Sequence, residues 1–187
     1  GQGSVEFHGM GTTCSALVLL PYGAIVAHVG DSRVYRLRGT ALERLTFDHS
    51  LVWEMADAGS ISERDIPQYV PKNVITRSLG PHETVSVDLE GPFAVQPGDT
   101  FLLCSEGLTG PVSDREIGTI LGCLPPDEAA QTLVDLANLR GGPDNITCLV
   151  VRANEEFSAR TAEAETPAVN GATLANGRTI NLGNAWI

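Results

Sequence analysis

The chain has 187 residues, long enough for a single domain with a buried core. Apolar residues make up 42% and charged residues 19%, a balance that excludes wholesale disorder. Its 23 acidic residues against 12 basic ones give a net charge of −11, which excludes the basic footprint of a nucleic-acid binder.

In chain order, Cys14 to Leu20 is rich in β-formers and runs into the turn Pro21-Tyr22-Gly23. Ala24 to Val29 returns as a buried strand. Val34 to Leu37 and Ala41 to Leu45 flank Arg38-Gly39-Thr40 as a hairpin. Leu51 to Ala58 has helical apolar spacing and stops at Gly59. Ser62 to Pro71 is polar and irregular, a surface segment. Val85, Val87 and Leu89 alternate with polar residues, as in a half-buried strand. Thr100 to Cys104 is a continuous apolar strand ending at Ser105-Glu106-Gly107. Ser113 and Glu116 form a capping box ahead of a helix carrying Ile117, Ile120 and Leu121. Pro126 to Leu139 is a second helix with an acidic start, closed by Arg140-Gly141-Gly142. Ile146 to Val151 is a last strand. From Ala153 onward the chain turns polar and is read as a tail or linker over 153–187.

No run approaches the roughly 20 apolar residues that cross a bilayer, so no membrane segment is expected. No basic-then-apolar leader opens the chain, and it begins with Gly, so it is read as starting inside a longer gene product. The four cysteines form no CxxC pair. Cys14, Cys104 and Cys148 lie in apolar runs and are expected to be buried, reduced thiols of a cytoplasmic protein.

Three acids share one context, a buried strand beside a turn of small residues: Asp31 in Gly30-Asp31-Ser32, Glu106 in Ser105-Glu106-Gly107, and Asp144 in Pro143-Asp144-Asn145. Small neighbours allow close approach, and strand ends hold carboxylates rigidly. Hard divalent cations take such oxygen ligands. Asp and Asn also form turns by bonding their own backbone, and spacing alone does not separate the two readings.

Six motifs then occur in order: Gly9-Met10-Gly11-Thr12-Thr13, Gly30-Asp31-Ser32-Arg33-Val34-Tyr35, Asp48-His49-Ser50-Leu51-Val52, Asn73-Val74-Ile75-Thr76-Arg77-Ser78-Leu79-Gly80, Leu102 to Thr109, and Gly141-Gly142-Pro143-Asp144-Asn145-Ile146-Thr147. Over residues 9–152 the chain resembles the bacterial branch of the metal-dependent PPM, or type-2C, protein serine/threonine phosphatases. The resemblance implies an α+β fold, an antiparallel β-sandwich flanked by helices in four αββα layers, here N-terminally incomplete. Residues 1–152 would be a partial phosphatase domain. It implies two Mg or Mn ions in the complete domain and a third, weaker site. The activity implied is hydrolysis of phosphoserine or phosphothreonine by a metal-activated water. Implied partners are phosphorylated proteins and a cognate serine/threonine kinase in a signalling circuit, with the protein a monomer.

By this resemblance Asp144 is the late metal-ligand aspartate, Glu106 stands where the family usually has Asp, and Asp31 belongs to the weaker site. Residues 60–71 match a flap beside the active site. The family's phosphate-gripping Arg, first metal-ligand Asp and Asp-Gly-Met-Gly-Gly motif have no counterpart in Gly1 to His8, so no catalytic side chain is assigned within the chain. Gly110 stands where another Asp is common. These departures support an alternative, a degenerate phosphatase-fold module that regulates or binds a partner. Among the remaining polar residues, His49 is read as a surface or capping residue and His28 as a satisfied core histidine. Arg33 and Arg77 are expected to pair with nearby acids.

Overall fold

The computed structural model describes residues 9–20, 22–57, 74–155, 171–173 and 179–181. β1 (Cys14–Leu20) pairs antiparallel with β2 (Gly23–Val29), which pairs with β5 (Asp88–Phe93). A second sheet has the order β4-β3-β6-β7, from Ala41–Arg44, Arg33–Arg38, Thr100–Cys104 and Cys148–Arg152, again all antiparallel. Helices α1 (Leu51–Asp57), α2 (Glu106–Thr109), α3 (Asp114–Cys123) and α4 (Pro126–Leu139) complete the main body.

Side-chain alternation explains the layering, because successive residues of a strand face opposite sides. Val34 and Phe101 turn toward Ala24 and Val26 of the first sheet, with Leu17 and Leu19 beside them. Tyr35, Leu37, Leu102 and Cys104 turn the other way, onto Ile117 and Leu121 of α3 and Ala129, Leu133 and Ala137 of α4. β3 and β6 are therefore covered on both faces, which is why β6 reads as a nearly unbroken apolar run, while β3 interleaves its buried Val34, Tyr35 and Leu37 with Arg33, Arg36 and Arg38. This is the expected α+β arrangement of packed antiparallel sheets and helices.

The helix signals translate directly. Glu116 accepts the Ser113 amide, closing the capping box, and is also held by Arg140 from the end of α4. Pro126 opens α4, as suits a residue with no amide hydrogen to leave unpaired.

Other expectations shift. The strand predicted around 85–89 starts at Asp88 and runs to Phe93. His28↔Asp88 is the last register pair with β2, and Val87 just before it is exposed. The last strand likewise begins at Cys148, opposite the end of β6 at Cys104. Ala153 extends the body past the expected boundary: it is buried, its amide donates to Asp99 O at 2.8 Å, and its carbonyl accepts Gly98 N–H. Farther along the chain, β8 (Gly171–Thr173) and β9 (Thr179–Asn181) pair antiparallel. Of the thiols, Cys104 is buried and Cys148 partly so, and burial pushes them up to about 12 and about 11. Cys14, at the start of an edge strand, is exposed rather than buried, as is Cys123. Among the described residues no helix is long and apolar enough to cross a membrane. The predicted flap over 60–71 lies outside the described residues.

Candidate metal centre

The register of the second sheet brings the three acids to one end. Arg33, Cys104 and Cys148 form a single row across β3, β6 and β7. Asp31 precedes β3 by two residues, Glu106 follows β6 by two, and Asp144 precedes β7 by four. Because neighbouring strands run in opposite directions, the start of one lies beside the end of the next. Turns far apart in sequence thus share one edge.

Each turn is held by specific contacts. Gly30 has φ +115°, and a Cβ there would stand 2.3 Å from the Thr13 Cγ2. Thr13 and Ser32 share a hydroxyl hydrogen bond of 2.8 Å across the Asp31 turn. Glu106 opens α2, a single helical turn that replaces the simple turn expected after β6. Ser105 staples this turn to the Asp144 loop: its Oγ donates to Asn145 O at 3.0 Å and accepts Thr147 N–H at 3.0 Å. The Asn145 amide donates to Asp144 Oδ1.

The carboxylates feel one another. Burial raises the pKa of Asp31, and Asp48 and Asp144 add to the rise. Glu106 is raised by burial and then by the charges of Asp31 and Asp144. Arg33 opposes both shifts, but its fork is occupied: Nε donates to Asp48 Oδ1 at 3.0 Å, Nη2 to Oδ2 at 2.6 Å, and Nη1 to the Tyr35 hydroxyl. Arg77 pairs with Asp88. Both arginines thus serve structural ion pairs, as expected.

This donor set suits a hard divalent cation. It consists of carboxylate oxygens whose mutual repulsion a cation would relieve, and Mg or Mn prefers such ligands. Among the described residues, no three His, Cys, Asp or Glu side chains stand close enough to enclose an ion by themselves. Gly110 sits against Glu106: a Cβ there would stand 3.3 Å from Glu106 O and 3.8 Å from Glu106 Oε1. The two departures in the Leu102-to-Gly110 stretch therefore meet at one spot.

The histidines behave differently from their sequence reading. His49 is buried, not a surface residue. Its Nδ1 accepts Gly30 N–H at 2.9 Å and its Nε2 bonds Asp88 Oδ2 at 2.9 Å. Partners 19 and 39 residues away create that environment, so a lone His in a polar Asp-His-Ser run gave no signal of it. His28 is a core histidine with Nδ1 bonded to Ser15 Oγ, and its buried Nε2 has no hydrogen-bond partner among the described residues. Burial, aided by the neighbouring His49, lowers its pKa.

No protein-family model matches the chain. It is 45% identical over 154 residues to a putative protein phosphatase 2C-type of Streptococcus pyogenes, covering 82% of this chain and 62% of that protein. Among solved structures, the serine/threonine phosphatase of S. agalactiae superposes with a TM-score of 0.74 at 40% identity, over 81% of this chain and 63% of that one. The catalytic domain of the phosphatase PstP in complex with two manganese ions superposes with a TM-score of 0.67 at 36% identity, over 79% of this chain and 61% of that one. The chain thus spans about three fifths of the length of the relatives it matches. In sequence and in fold the chain is thus similar, over about four fifths of its length, to bacterial protein phosphatases of the PPM, or type-2C, family.

Proposed function

We propose that the chain is part of a metal-dependent protein serine/threonine phosphatase, residues 1–152 belonging to its phosphatase domain and 153–187 forming a polar tail. The carrying observation is the convergence of Asp31, Glu106 and Asp144 at one sheet end, in a chain whose relatives are named as phosphatases. Glu106 and Asp144 hold Mg or Mn, and Asp31 serves a further, weaker site. Further ligands for a two-ion centre come from the portion of the family domain that this sequence does not include. When bound, the ions supply Lewis-acid activation of water and neutralise phosphoryl charge. The chain's own contribution is placement: Ser105 locks the Glu106 and Asp144 turns together, and Asp48 keeps Arg33 from neutralising the acids. Substrates are proteins phosphorylated on serine or threonine by a kinase of the same circuit, and the enzyme works as a cytoplasmic monomer.

The second reading, a non-catalytic regulatory module, is favoured by Glu106 and Gly110 departing at the same spot. Manganese-dependent hydrolysis of a phosphothreonine peptide by the product of the full reading frame separates the two. We expect turnover that Asp144→Asn reduces by more than the ~10–100-fold typical of outer-shell partners. Absence of turnover in millimolar Mn, unrescued by Glu106→Asp, would leave the regulatory module. The 187 residues alone are expected to show little or no turnover, since their three acids do not enclose an ion; clear hydrolysis by them would contradict this.

A further inference from the structure

We propose that His49 is a positioning residue for the acidic site, fixing through Gly30 the turn that carries Asp31. The inference rests on the reading of Asp31 as a metal ligand. His49 and Gly30 are joined twice. The His49 amide donates to Gly30 O at 2.7 Å, and the Gly30 amide donates to His49 Nδ1 at 2.9 Å. An acceptor role at Nδ1 places the ring proton on Nε2, which then donates to Asp88 Oδ2. Asp88 is itself gripped by Arg77 through its other oxygen. Burial alone would raise the Asp88 pKa, but the bonds from His49 and Arg77 bring it below the usual carboxylate range, so it is a charged acceptor at neutral pH.

The relay Arg77–Asp88–His49–Gly30 therefore sets both the tautomer and the direction of the ring, as carboxylates do for histidines behind metal ligands. The His28 ring, 4.9 Å away between centroids, flanks it. The clamp has a purpose at this position. Gly30 lies at φ +115°, where glycine has several conformations of similar energy, so the direction of Asp31 must be imposed from outside. Both polar groups of the Gly30 backbone are tied to one residue, and Asp31 is the next residue along.

Two variants of the full chain separate clamping from mere packing. His49→Asn keeps an acceptor near the place of Nδ1 and gives up the Asp88 bond. His49→Gln keeps a donor toward Asp88 and gives up the Gly30 acceptor. Amide hydrogen exchange at Gly30 and Mn-induced broadening of the Asp31 amide signal are measured, with the thermal midpoint as the stability reference. His49→Gln is expected to lose the Gly30 protection and to need about tenfold more Mn for the same broadening. His49→Asn should keep both, since its carbonyl oxygen accepts without Asp88 to set a tautomer, although the two variants lose similar thermal stability. Asp88→Ala, at a half-exposed position that threatens folding less, should show the same losses in smaller measure. Unchanged Gly30 exchange in His49→Gln, or equal losses in the Asn and Gln variants, would overturn the inference. Absence of Mn broadening at Asp31 in the unsubstituted chain would instead remove Asp31 from the metal reading, while the exchange contrast at Gly30 still decides the clamp.

Discussion

Gly107→Ala should separate the Glu106 turn from the Asp144 loop and weaken manganese binding by tenfold or more, on the order of other losses in metal-site support. Gly107 is buried, and a Cβ there would stand 2.4 Å from Asn145 O, 3.0 Å from Asn145 C and 3.4 Å from Asp144 C. These are backbone atoms, so no side-chain rotation relieves the contact. The Asn145 carbonyl also accepts the Ser105 hydroxyl, so moving it breaks the staple between the two turns. Overpacking of this kind costs about 1–3 kcal/mol, read by chemical denaturation. Gly118→Ala on α3 is the control: its Cβ would lie at an ordinary 3.4 Å from Leu42 Cβ, and the better helix former should leave stability unchanged or raise it by up to ~1 kcal/mol. Unchanged Mn affinity in Gly107→Ala would show that the spacing of Glu106 and Asp144 does not govern the site.

Asp48→Ala should be among the most destabilising single changes, at about 3 kcal/mol, because it leaves Arg33 only the Tyr35 hydroxyl and Asp114 at 4.0 Å. The Asp48 side chain is 5% exposed and that of Arg33 17%, and their two-pronged bond occupies the inner face of the guanidinium. Burial works against the Arg33 charge, and the bonds to Asp48 overcome it, holding its pKa above the ordinary value. Without Asp48 that charge stays near Asp31 and Glu106, whose pKa values it already draws down, and competes there with a cation. Stability and Mn affinity should therefore fall together. Asp48→Asn, which keeps an acceptor for one prong, should lose less of both. Isothermal titration with Mn, paired with urea denaturation, checks the two readouts; equal stability in Asp48→Ala and the parent would mean that Arg33 finds another partner.

Local structure was largely legible in the sequence because it is written in local periodicity. The Ser113–Glu116 box, Pro126 at the head of α4 and the Gly141-Gly142 stop act within one or two helical turns, so residue spacing suffices to find them. The apolar runs of β2 and β6 announce strands covered on both faces. Strand ends were less legible because they depend on pairing: Cys148 begins β7 opposite the last residue of β6, and Asp88 begins β5 opposite His28, one residue before β2 ends. The three acids could be picked out as strand-end carboxylates, but their meeting is a property of antiparallel register across β3, β6 and β7. The tertiary structure alone decided the place of His49. Its role depends on Gly30 and Asp88, which the neighbouring strands β2 and β5 bring to its ring from 19 and 39 residues away.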